Sequence, residues 1–134
     1  MNYSRISCDL VLNEEYVFYK LVINGKCQFD EFLCEIEKNV QRAKSFKSII
    51  ALMDSFSASR KLPDTKFRYI HSRYRSDIYE FKKNDIRVYV IKDKSDITIA
   101  MGGYKQNQKK DLQKLDRDLK DYPKTNSNRC KRIK

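Results

Sequence analysis

Ile78-Tyr79-Glu80-Phe81-Lys82, Ile86-Arg87-Val88-Tyr89-Val90-Ile91-Lys92 and Asp96-Ile97-Thr98-Ile99-Ala100-Met101 follow one another, with only Lys83-Asn84-Asp85 and Asp93-Lys94-Ser95 between them. β-branched and aromatic residues dominate the runs, and the connectors hold the Asn, Asp and Ser that favour tight turns. Turns this short join neighbouring strands antiparallel, so the stretch predicts a meander. Along the middle run, alternation places Ile86, Val88 and Val90 on one face and Arg87, Tyr89 and Ile91 on the other. A basic and aromatic surface is expected to collect on that second face. Gly102-Gly103-Tyr104-Lys105 then reads as an exit into a helix beginning near Asn107. Leu112, Leu115, Leu119 and Tyr122 form its apolar stripe, with Asn107 as cap and Pro123 as stop.

Upstream, Phe67 to Ile70 reads as one more strand, joined through the loop His71-Ser72-Arg73-Tyr74-Arg75-Ser76. Before it the period changes. Phe29, Phe32, Leu33, Ile36, Val40 and Ala43 recur at helical spacing, with Asp30 and Glu31 in the first turn where the helix dipole favours acid. This predicts a helix to about Lys44. A second is expected from Ser48 as cap to a point before Pro63. Ile6 to Leu12 and Tyr16 to Ile23 predict two N-terminal strands, with Asn13-Glu14-Glu15 as a hairpin turn between them. The expected fold class is α+β: N-terminal strands, two helices, an antiparallel meander and a C-terminal helix. At 134 residues the chain is expected to form one domain over residues 1–122, with a basic, flexible tail over 123–134.

Charge is segregated along the chain. Residues 1–65 carry nine Lys or Arg against nine Asp or Glu, whereas residues 66–134 carry twenty against nine, so the whole excess of +11 lies in the second half. Such a distribution points to an anionic partner, nucleic acid first, although a solvated basic surface has the same composition. The cysteines, Cys8, Cys27, Cys34 and Cys130, contain no Cys-x-x-Cys pair, and His71 is the only histidine, so neither a structural zinc site nor a cofactor is expected. No apolar run approaches the roughly 20 residues of a membrane-spanning helix, and the first ten residues lack a signal peptide's apolar core. A cytoplasmic protein without a membrane partner is expected.

The run from the meander into the last helix carries a resemblance. Ile78-Tyr79-Glu80-Phe81-Lys82, Arg87-Val88-Tyr89 and Ile99-Ala100-Met101-Gly102-Gly103-Tyr104-Lys105-Gln106-Asn107-Gln108-Lys109-Lys110-Asp111-Leu112 resemble the RelE/ParE toxin superfamily, in its addiction-module killer-protein branch. In that branch a Leu-Tyr-Glu-Leu-Arg strand precedes an Arg-Val strand, and Gly-Gly-x-Lys-x-x-Gln-x-x-Asp-Ile opens the last helix. Tyr79, Glu80, Arg87, Gly102, Gly103, Lys105, Gln108 and Asp111 match these positions. Lys82 stands where the family has Arg, which keeps the charge but loses bidentate phosphate geometry.

The resemblance implies a RelE-like fold and a type II toxin that cuts messenger RNA at the ribosome and is held inactive by a cognate antitoxin. A gyrase-directed toxin of the ParE kind and a non-catalytic RNA-binding module are the alternatives. Cleavage by a 2′-hydroxyl needs a base, positive charge on the phosphorane-like transition state and an acid for the leaving oxygen. Arg87 and Lys105 are the charged catalytic candidates. Proton transfer is left among His71, Tyr89, Tyr104 and Lys105, the last three on condition that neighbouring cations lower their pKa. Arg73, Arg75, Lys82, Lys109 and Lys110 are the candidate RNA-phosphate contacts. Gly102-Gly103 is read as a turn and Gln108 and Asp111 as helix-positioning residues.

Overall fold

In the computed structural model, which describes residues 1–123, the three central runs form β4 (Ile78–Lys83), β5 (Ile86–Lys92) and β6 (Asp96–Tyr104). With β3 (Phe67–Tyr69) they make the expected antiparallel meander. Asn84, in the β4–β5 turn, takes the left-handed φ of 53° that Asn tolerates better than most residues. β1 (Tyr3–Ser7) and β2 (Val17–Ile23) pair antiparallel, and β2 pairs parallel with β6, giving a six-stranded mixed sheet in the order β1-β2-β6-β5-β4-β3. The chain is thus α+β. The expected tail from Lys124 onward, Cys130 included, lies outside the described residues.

Two helices, α1 (Gln28–Ile36) and α2 (Val40–Asp54), cover one face of the sheet, and α3 (Gln108–Leu119) covers the other. Phe29, Phe32 and Ile36 of α1 and Phe46, Ile49 and Met53 of α2 pack on Phe81, Ile86, Val88 and Val90. Leu115 and Leu119 of α3 pack on Ile78, Tyr89 and Ile91. β5 is therefore buried on both faces. This corrects the expectation of an open basic and aromatic surface on the Arg87, Tyr89 and Ile91 side, because α3 lies over it. Among the described residues no helix is long and apolar enough to cross a membrane.

Several boundaries move. The first helix ends at Ile36, and Asn39, not Ser48, caps the second by accepting a hydrogen bond from the Arg42 backbone N–H at 3.0 Å. The apolar spacing ran through this break because Val40 sits in phase with Ile36, yet it is exposed on the new helix. The first strand ends at Ser7, not Leu12. Asn13 is not a hairpin turn; its side-chain amide donates to the Met53 and Phe56 carbonyls, both at 2.8 Å, closing the C-terminal end of α2.

Gly102 and Gly103 lie within β6 and are not its exit. The requirement there is close approach from both layers. A Cβ on Gly102 would stand 2.2 Å from the Phe32 ring of α1, and one on Gly103 would stand 2.1 Å from Asp111 Oδ2 of α3. Replacing Gly102 with Ala therefore overpacks a core in which Phe32 also meets the Tyr104 ring at 5.4 Å. Gly102→Ala is expected to lose about 1–3 kcal/mol of stability in urea denaturation.

Candidate active site

Glu80 occupies the middle of β4 with its side chain on the α3 face and no exposure to solvent. An isolated carboxylate at such a place is costly, so the surrounding chain has to compensate it. Arg68, paired opposite it on β3, reaches Glu80 Oε2 through Nη2 at 2.6 Å and Nε at 2.9 Å. Gln108, the first residue of α3, donates its side-chain amide to Glu80 Oε1 at 2.6 Å. Lys82 Nζ and Arg87 Nε each stand 3.9 Å from a Glu80 oxygen. Three strands thus bring Arg68, Lys82 and Arg87 around one carboxylate.

Arg87 is held by its Nη1, which donates to the Asn84 and Ile86 carbonyls at 2.8 and 3.0 Å. Its Nε is buried and makes no hydrogen bond. Lys82 is partly exposed, and burial, with the Arg68 and Arg87 guanidiniums behind it, lowers its pKa from the ordinary lysine value against the opposing pull of Glu80. An amine depressed in this way gives up its proton more readily than a free lysine does.

Of the residues singled out in the sequence, Arg87 and Lys82 enter this cluster. Tyr89 borders it on β5, and its hydroxyl is buried without a regular hydrogen bond, the Gln108 side chain being the neighbour that favours its anion. Burial outweighs that contact and pushes the phenol far up. Tyr104 points into the other layer, between Phe32 and the Arg42 guanidinium, which lies 4.0 Å from its ring centroid. Burial, and then the Glu35 carboxylate, raise its pKa as well. Neither phenol gains the lowered pKa that a base role required.

Lys105 lies at the same end of the sheet, its backbone N–H bonded to the Asp85 carbonyl at 2.8 Å, and it is exposed. Lys109 and Lys110 are exposed in the first turn of α3. The 71–76 loop is elsewhere. Ser72 bonds Asp116 and Lys120 lies over the Tyr74 ring, so the loop flanks the C-terminal part of α3, whereas Gln108 meets Glu80 at its start. A helix of 12 residues separates those ends by about 18 Å. His71, whose ring packs edge-on against Tyr69 at 5.0 Å, and exposed Arg73 are therefore not brought to the cluster.

Arg75 is corrected most plainly. It is buried, forms a two-pronged pair with Asp77 at 2.9 Å, and donates to the Leu119, Tyr122 and Pro123 carbonyls. It closes the C-terminal end of α3 instead of meeting solvent. Sequence reasoning missed Arg68 and gave Glu80 no role. The signal was period-two spacing: an acid inside an apolar strand, with a basic residue two positions on and another on the neighbouring strand.

Removing the Arg75 side chain leaves Asp77 buried and unpaired. Arg75→Ala is expected to destabilise the fold by about 3–5 kcal/mol in chemical denaturation. Arg68→Ala takes the closest cation from the fully buried Glu80 and is expected to destabilise the fold in the same assay, the loss being limited by Gln108, Lys82 and Arg87, which stay beside the carboxylate. Compared with family models, with curated proteins and with solved structures, the chain matches none.

Proposed function

We propose that this protein is the toxin of a type II toxin–antitoxin module, a RelE-like ribonuclease that cuts messenger RNA at the ribosome and is restrained by a cognate antitoxin. The observation that carries the reading is the convergence of Arg68, Lys82 and Arg87 on the buried Glu80, within the stretch that resembles the killer-protein branch. The order from β2 onward, strand, two helices, antiparallel meander and helix, is compatible with the fold that the resemblance implies, and β1 is an addition to the family minimum.

In this reading Arg68, the exposed guanidinium of the cluster, binds the scissile phosphate, and the buried Arg87 adds positive potential behind it that stabilises the charge building there during reaction. Lys82, as the neutral amine, accepts the proton of the 2′-hydroxyl, a role particular to this chain, since the Arg that the resembled branch has at this position stays protonated. The 2′-oxygen bonds to phosphorus, the bond from phosphorus to the 5′-oxygen breaks, and water protonates that leaving oxygen. Glu80 acts as a positioning residue, holding Arg68 in place and drawing Lys82 and Arg87 toward one point. Lys105, Lys109 and Lys110 supply positive potential at the same end of the sheet and attract the RNA backbone in a salt-dependent manner.

Induced expression is expected to halt translation and leave fragmented messages, mapped by primer extension. Intact messages with growth arrest would sink the reading, and lost supercoiling alongside them would point to the gyrase-directed kind. Lys82→Arg keeps the charge but cannot release a proton at physiological pH. It is expected to lower cleavage by about 10² to 10⁴ while RNA binding persists. Because the neutral amine is the active form, wild-type cleavage is expected to rise with pH and level off above the lowered pKa of Lys82. A flat profile would remove Lys82 from the proton-transfer role.

A further inference from the structure

On the α1 and α2 side of the same sheet edge, a cleft of about 430 Å³ opens between the end of α2, residues 57–64 and the β3–β4 pair. Its size falls within the roughly 300–1,000 Å³ of small-ligand pockets. The rings of Tyr16 and Phe56, 5.2 Å apart and both buried, line its inner part. Phe67, Tyr69 and Tyr79 line it too, and these three remain only half-buried. The Phe67 and Tyr79 rings are parallel within 2° at 5.0 Å, and Tyr69 meets Tyr79 edge-on at 5.4 Å. Arg60, Lys61 and Lys92 also line the cleft, against the single acid Asp64.

Half-exposed rings beside an excess of positive charge match a planar group that carries negative charge. A nucleobase with its phosphate has both properties, and stacking on aromatic side chains accepts any base because each has a π-face. An apolar partner helix would leave the cations uncompensated. The edge strand adds a geometric link: Phe67 and Tyr69 line the cleft, while Arg68 between them reaches Glu80 on the opposite face. One strand of three residues therefore separates the cleft from the cation cluster.

We propose that this cleft is a base-binding subsite for single-stranded RNA, in which the Tyr69 ring stacks a base, Tyr79 meets that base at its edge, and Arg60, Lys61 and Lys92 hold its phosphate. The strand crosses the β3 edge, so a base is anchored on one face while a phosphate meets Arg68 on the other. The choice of RNA rests on the ribonuclease reading, whereas the cleft rests on its own rings and charges.

The test uses the full chain and a fluorescently labelled, fully 2′-O-methylated RNA decamer, which lacks the attacking hydroxyl and cannot be cut. Tyr69→Leu and Lys92→Gln are each expected to weaken binding about tenfold in fluorescence anisotropy. A decamer carrying 4-thiouridine is expected to cross-link under ultraviolet light to the peptides containing Tyr69 or Tyr79. Unchanged affinity in both variants, cross-links confined to other segments, or no binding at all would overturn the proposal. So would a free mononucleotide that binds as tightly as the decamer. If Tyr69→Leu fails to fold by circular dichroism, Lys92→Gln and the cross-link map still decide. Cross-linking in the cleft by a chain that leaves messages intact on translating ribosomes would sink the ribonuclease reading and leave the subsite standing.

Discussion

A carboxylate without access to water imposes conditions on everything near it, and Glu80 is such a group. Its position in β4 requires Arg68 on the strand to one side and fixes where α3 must begin, since Gln108 supplies the other short hydrogen bond. The start of α3 in turn brings Asp111 against β6, where the missing side chain of Gly103 leaves room for it. A buried ion pair is a poor source of net stability compared with apolar packing of the same volume. What it supplies here is position: three strands and a helix terminus are held in one arrangement, and two further cations are left 3.9 Å from the same carboxylate.

The meander was legible because strand alternation and turn chemistry are local. Residues 86–92 are a strand in both readings, and the three connections after Phe67 are antiparallel as expected. The break between the first two helices was not legible. No Pro or Gly marks residues 37–39, the apolar phase continues across them, and only the side chain of Asn39 makes the new start. The parallel pairing of β2 with β6 was also beyond a local reading, because it joins residues about eighty positions apart.

For the candidate site, alternation correctly put Arg87 and Tyr89 on one face but carried no information about what covers that face. Leu115 and Leu119 do, which turns Tyr89 from a surface phenol into a buried one. Spacing alone also made Arg75 look like a loop cation, when its guanidinium has three carbonyls and a carboxylate to satisfy. Long-range packing decides such cases, and the most charged residue types are the ones whose roles it changes most. The excess of basic residues in the second half of the chain is correspondingly a mixture: Arg75 is consumed internally, while Lys105, Lys109 and Lys110 face solvent.

The parallel pairing of β2 with β6 has a consequence for synthesis. Until residues 96–104 have left the ribosome, β2 has only β1 beside it, and a two-stranded hairpin is marginal in water. Phe18 and Leu21, buried on opposite faces of the finished sheet, then have neither layer complete around them. The sequence separation of that contact also slows closure, because the loop entropy is lost before the pairing is gained. The first half of the nascent chain therefore remains exposed to aggregation or proteolysis until β6 has been made and has emerged.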